Sequence, residues 1–180
     1  MKLILLLTLG AITYASVMAP TPTTTPSVMA PTLKVTSHCT PEEKVIFSCA
    51  TTNAKVISLC SSSSLTSSDG YLQYRFGPAD RPELVYPATR EHPSKHFQFG
   101  TQIYSGGGAE FLKFRNGEYT YIVFDAMGKA WEKAGVVVSK SEKRIAYLPC
   151  EGAGQFEMAP QEFEQIKILR DPNEADFEIP

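Results

Sequence analysis

FLKFRNGEYTYIVF, residues 111–124, places two alternating apolar runs on either side of Asn116-Gly117. Asn-Gly between such runs predicts a two-residue type I′ hairpin, because both central positions of that turn take positive φ. The implied register pairs Arg115 with Glu118, Phe114 with Tyr119, Lys113 with Thr120 and Leu112 with Tyr121. One face is then aromatic and apolar, and the other is polar near the turn. Such a hairpin belongs in the core sheet of a β domain.

The flanking sequence continues the pattern. GVVVSK (135–140) and RIAYLPC (144–150) form a second expected hairpin through Ser141-Glu142-Lys143. DAMGKAWEKAG (125–135), between the two, reads as a helical turn or a bent strand, with Trp131 anchoring a core edge. Upstream, KVIFSC (44–49), KVISLC (55–60) and YLQYRF (71–76) are short β-branched or alternating strands. The serines and Asp69-Gly70 of residues 61–70 make a loop, and Pro93 marks TREHPSKH (89–96) as an irregular excursion. Only PQEFEQIKIL (160–169) reads as helix, with Pro160 in its first turn and Phe163, Ile166 and Ile168 toward one side. The expected fold is mainly β: an antiparallel β-sandwich or small barrel of about 6–8 strands with a short C-terminal helix.

The first residues set the compartment. Lys2 followed by an apolar run from Leu3 to Ala15 and then small residues is the layout of a secretory signal peptide, cut after Ala19 or after Ala15. The run is shorter than the roughly 20 apolar residues of a membrane span, so export without membrane insertion is expected. Residues 16–36 are Pro/Thr-rich, repeat SVMAPT at 16–21 and 27–32, and read as a disordered linker. Residues 37–180 are then one β-rich domain with an acidic C-terminal segment, in a periplasmic or secreted protein.

Four cysteines in an exported chain read as two disulfides. If residues 44–49 and 55–60 pair through ATTNA, Cys49 faces Lys55 and Cys60 faces Lys44. Cys49 and Cys60 are then separated by roughly 17 Å of ladder, too far for a bridge. Of the three pairings this favours Cys39 with Cys60 and Cys49 with Cys150.

The chain carries 17 Lys and Arg against 19 Asp and Glu, a formal charge of −2. Residues 151–180 hold most of the imbalance and read as a solvated acidic tail. No basic stripe interleaved with aromatics is present, which argues against a nucleic-acid partner.

Candidate chemistry centres on YSGGGAEF, residues 104–111. The glycines lead into a strand rather than a helix, which excludes a P-loop or dinucleotide cradle. Ser105 lacks a nucleophile elbow, so no catalytic residue is assigned; the rival reading is a small secreted hydrolase that pairs Ser105 with His92 or His96. His92 and His96 stand four apart, but Pro93 breaks the helix that would bring them together, and no metal or cofactor is expected. The glycine run fits either a β-bulge or tight backbone crossing, or an exposed loop made of Tyr104, Ser105, Gly106, Gly107 and Gly108 that enters a partner's acidic cleft.

Ser105-Gly106, in an exported disulfide-bearing β domain, resembles the Ser-Gly loop of the bacterial periplasmic lysozyme inhibitors. That family's pattern places a tyrosine three residues after the serine's glycine, whereas this chain has Gly107, Gly108 and Ala109, with aromatics only at Tyr104 and Phe111. The resemblance implies a non-catalytic protein that blocks a lysozyme-like cell-wall hydrolase, with Ser105 as the inserted residue. A structural envelope protein is the remaining alternative.

Overall fold

The computed structural model describes residues 37–152, 154 and 156–180. The expected signal peptide and linker lie outside them. Ten strands carry the chain: β1 (Glu43–Ala50), β2 (Lys55–Ser62), β3 (Leu72–Pro78), β4 (Leu84–Tyr86), β5 (Phe97–Tyr104), β6 (Gly107–Asn116), β7 (Tyr119–Gly128), β8 (Trp131–Lys140), β9 (Lys143–Pro149) and β10 (Leu169–Arg170). One short helix, α1, spans Pro160–Gln165. A four-stranded sheet runs in the order β1-β2-β3-β4, and a six-stranded sheet in the order β10-β5-β6-β7-β8-β9. The two form a sandwich rather than a closed barrel.

The hairpin at Asn116-Gly117 lies in the middle of the six-stranded sheet, but in a different register from the expected one. Asn116 pairs with Tyr119, Phe114 with Tyr121 and Leu112 with Val123. Gly117 takes φ of 60° at the first central position, while Glu118 stays out of the positive-φ region. That is the signature of a type II′ turn. The shift brings Phe114 against Tyr121 with parallel rings 4.9 Å apart, and leaves Tyr119 at the exposed end beside Lys140. Packing of the apolar row outweighs the turn preference of Asn-Gly.

Residues 125–135 are neither a helical turn nor one bent strand. They end β7 and begin β8 through a turn at Lys129-Ala130. The next connection uses two residues instead of three: Ser141 (φ 49°) and Glu142 (φ 64°) form a type I′ pair, and Lys140 faces Lys143.

Between the sheets, Phe47, Ile57, Leu59 and Tyr74 meet Phe97, Phe99, Leu112, Phe114, Val123 and Val136. Phe156 and α1's Phe163, with Ile166 and Ile168, complete this layer. The helix is shorter than the sequence suggests because Lys167 turns left-handed (φ 61°) and sends Leu169-Arg170 alongside β5 as a parallel strand. In β1 a bulge at Ile46 frees a carbonyl that accepts the Glu157 N–H at 2.8 Å, which ties the segment before α1 to the sandwich.

The six-stranded sheet is apolar on its outer face as well. Ala109, Phe111, Phe124, Ala126 and Val137 form a second core under Phe177, with Ile179 and Tyr147 at its margin. The acidic C-terminal segment is therefore a docked strap and not a solvated tail. Asp171 is buried and accepts from Lys113 Nζ at 2.7 Å, Gln102 donates to the carbonyls of Glu174 and Phe177, and Lys133 Nζ reaches the Pro180 carbonyl. Its apolar residues, spaced along an acidic run, hold it down.

At the other end of the chain, residues 37–43 cover the outer face of the four-stranded sheet. Cys39 is bonded to Cys60 there, and Glu43 makes a two-pronged contact with the buried Arg75 guanidinium at 2.6 and 2.7 Å. Burial opposes the Glu43 charge, yet donation from Arg75, Thr40 N–H and Tyr71, with the Arg75 charge, brings its carboxyl down to about 2.

The second disulfide, Cys49–Cys150, joins β1 to the residue after β9 and so connects the two sheets. The pairing follows the sequence argument, although the β1–β2 register does not. Cys49 faces Ile57 and Cys60 faces Val45, because Thr51 closes a tighter turn with Ala54 and Lys55 and the Ile46 bulge takes up one residue. Two disulfides fit an oxidising compartment.

The Tyr74 hydroxyl is buried in the core without a hydrogen-bond partner among the described residues, and burial raises its pKa. Tyr74→Phe removes that desolvation cost and keeps the ring contacts to Phe114 and Tyr121. Urea unfolding of the variant should show a gain of about 1 kcal/mol; a loss of stability would mean that the hydroxyl is bonded.

Candidate functional site

The glycine run divides into three roles. Ser105 and Gly106 are the two exposed residues of the turn joining β5 to β6, closed by the Tyr104–Gly107 pair. Gly106 takes φ of 86° at the second central position, which suits a type II turn and disfavours any side chain. Gly107 already lies in β6, where a Cβ would collide with the Met127 carbonyl. The turn is therefore exposed, and the strand behind it is a close backbone crossing.

That crossing organises the tip of the sheet. Tyr104 on β5 and Trp131 on β8 stand at opposite ends of one cross-strand row, and a Cβ at Gly128 would collide with the Trp131 indole. With no side chains on the two middle strands, the rings meet over the glycines, stacked 6.1 Å apart at 14°. Aromatic side chains covering strand glycines in this way restore contact that the glycines lack. Trp131 is 40% exposed, so it caps the tip rather than anchoring a core edge. The Tyr104 hydroxyl donates to the carbonyls of Met127 (2.9 Å) and Gly108 (3.0 Å), which fixes the ring.

On the opposite face of the same tip, Ile103 pairs with Gly108 and Gly108 with Met127. Ile103 is 95% exposed and Met127 56%. The missing side chain at Gly108 leaves a notch between two solvated apolar residues. One ladder step deeper, Glu110 faces Asp125. Burial pushes Glu110 up to about 7, with the Asp125 charge adding to it; burial and then the Glu132 charge push Asp125 up to about 6, against donation from the Ala126 N–H.

The histidines are elsewhere. His92 bonds Ser94 Oγ at 2.8 Å and the Thr66 carbonyl at 2.9 Å, while His96 bonds Glu91 at 3.0 Å. His96 precedes β5 and Ser105 follows it, so about 26 Å of extended strand separates them at the usual rise. Ser105 and His96 are therefore not within hydrogen-bond reach of each other. Among the described residues the one three-member group with metal-ligand spacing is Cys39, Glu43 and Cys60, and its two sulfurs are joined in a disulfide.

Sequence reasoning found the turn and missed its surroundings. Ile103 and Met127 carry no motif, and their shared face follows only from the register across Gly108. The Glu110–Asp125 juxtaposition needs that same register.

No family model, curated protein or solved structure matches this chain.

The raised carboxyls make stability pH-dependent. In the folded state Glu110 holds its proton more tightly than in the unfolded chain, so its contribution is complete below about pH 4.5 and is lost as pH rises through about 7. Thermal unfolding should show lower stability at pH 8 than at pH 5 from this site, on the order of 1 kcal/mol once screening at a half-exposed position is included. Glu110→Gln should flatten that slope. An unchanged slope would place the titration elsewhere.

Proposed function

We propose that this protein is an exported, non-catalytic binding protein whose contact surface is the tip formed by the β5–β6 and β7–β8 hairpins. The observation that carries the reading is Ile103, a β-branched residue in a regular strand with 95% of its surface in solvent. Beside it lie Met127, the stacked Tyr104 and Trp131, and the Ser105-Gly106 turn. Large apolar side chains around a rigid projecting edge suit burial against a partner.

Rigidity matters to affinity. Four strands, the Tyr104 hydroxyl bonds and the close crossing at Gly107 hold the turn before any partner arrives, so little ordering entropy is lost on contact. Ser105 makes no hydrogen bond among the described residues, and its hydroxyl is free to donate to a carboxylate. A lysozyme-like cell-wall hydrolase, whose cleft carries catalytic carboxylates, is the partner class we infer from the resemblance of the Ser-Gly turn. The acidic groups behind the turn, Glu110, Asp125 and Glu132, favour a partner with a basic rim. The periplasm or the extracellular medium is the matching location.

Pull-down and inhibition assays with lysozymes of several structural types test this reading. Ser105→Ala and Ile103→Asp should each weaken binding about tenfold or more, the effect of removing roughly 1.4 kcal/mol of contact. Capture of a lysozyme that both substitutions leave intact would remove the tip from the interface. Failure to capture any lysozyme would reject the partner class.

A further inference from the structure

At the end of the six-stranded sheet opposite the hairpin tip, the outer face is not covered by the C-terminal strap. A groove of about 1120 Å³ lies there, with the strap from Asp171 to Glu178 as one wall and the β6–β7 and β8–β9 turns at its far side. Its floor contains a single cross-strand row. Arg115 on β6 faces Thr120 on β7, Thr120 faces Ser139 on β8, and Ser139 faces Arg144 on β9. Paired residues in a sheet share a face, so two guanidiniums flank two hydroxyls.

Arg144 belongs to this row because of a defect in the ladder. Val138 pairs with Ala146 but Ser139 pairs with Arg144, so Ile145 is an extra residue on β9 and lies 54% exposed. A bulge of this kind re-aims the side chain beside it. Solvating Ile145 is unfavourable for folding, and the bulge sets Arg144 opposite Ser139.

The charges around the row decide what it can hold. Lys113 is neutralised by Asp171 (2.7 Å) and Glu118 by Lys140 (2.9 Å). The side chains of Arg115, Arg144, Thr120 and Ser139 have no hydrogen-bond or ion-pair partner among the described residues, and the same holds for those of Glu142, Asp176 and Glu178. Two free cations on the floor therefore face three free carboxylates on the wall and rim. A polyanion would meet Asp176 and Glu178, and a polycation would meet both arginines. The complementary ligand carries one charge of each sign.

The two arginines start about 14 Å apart, three strand spacings, and each side chain is long enough to bring its guanidinium over the Thr120 and Ser139 hydroxyls between them. The groove is roomy enough for a ligand of a few residues running from that row toward the strap. Ile122 and Val137, between the row and the strap, supply an apolar strip for its body.

We propose that this groove binds a short peptide with free termini, its carboxylate on Arg115 and Arg144 with the Thr120 and Ser139 hydroxyls, and its ammonium group toward Asp176 and Glu178. The site is independent of the hairpin tip, and either can fail without the other.

The test uses the whole exported protein and amide NMR shifts with a mixed tetrapeptide library bearing free termini. Shifts at Thr120, Ser139 and Arg144 are expected, and should weaken about tenfold or more with the same library as C-terminal amides or N-acetylated. Arg115→Gln and Arg144→Gln, both at exposed positions, should reduce binding of the free-acid library while leaving its amide form unchanged. Equal binding of free and capped libraries, no groove shifts at millimolar peptide, or stronger groove shifts with inorganic phosphate than with peptide would each overturn the proposal.

Discussion

The six-stranded sheet is apolar on both faces, and this constraint shapes everything attached to it. Phe114, Leu112, Val123 and Val136 face inward, while Phe111, Phe124 and Val137 face outward on the same strands. An antiparallel sheet usually leaves one face to water. Here the four-stranded sheet covers one side, and the chain's last ten residues cover part of the other. Burying Phe177 on Phe111 and Phe124, with ring centroids 5.0 and 5.4 Å away, contributes on the order of 2 kcal/mol and holds an otherwise acidic segment against the sheet.

The same principle explains the opposite end of the chain. The outer face of the four-stranded sheet carries Ser58, Cys60, Gln73 and Arg75, all buried, and polar groups in that position need partners. Residues 37–43 provide them through the Ser58 hydroxyl contact with the His38 N–H, the Glu43–Arg75 pair and the Cys39–Cys60 bond. One sheet is thus sealed by an apolar strap and the other by a charged and covalent one.

Much of this was legible in the residues, and the misses have a common cause. The β class, the presence of a central hairpin and both disulfides follow from local pattern and chain spacing, whereas the turn types at Gly117, at Lys129-Ala130 and at Ser141-Glu142 do not. The exact registers did not, because Phe114 against Tyr121 and the Ile46 bulge are settled by packing across the sandwich, which a local rule cannot weigh. The strap was hidden for a similar reason: Phe177 and Ile179 are two apolar residues in an acidic run, and only an exposed apolar face elsewhere gives them a destination. At the candidate site, Ser105 and Gly106 were visible as a turn. Ile103, Met127 and the Tyr104–Trp131 stack were not, since each depends on a glycine in a neighbouring strand.

The Cys49–Cys150 bond has a further consequence for the exposed turn. It closes a covalent ring that contains β2 through β9, and Ser105-Gly106 lies inside that ring. A single cut of the backbone at the turn opens the ring without producing a separable fragment, because the residues before the cut hold Cys49 and those after it hold Cys150. A protease that cuts at this exposed turn therefore leaves the two halves of the sandwich as one molecule.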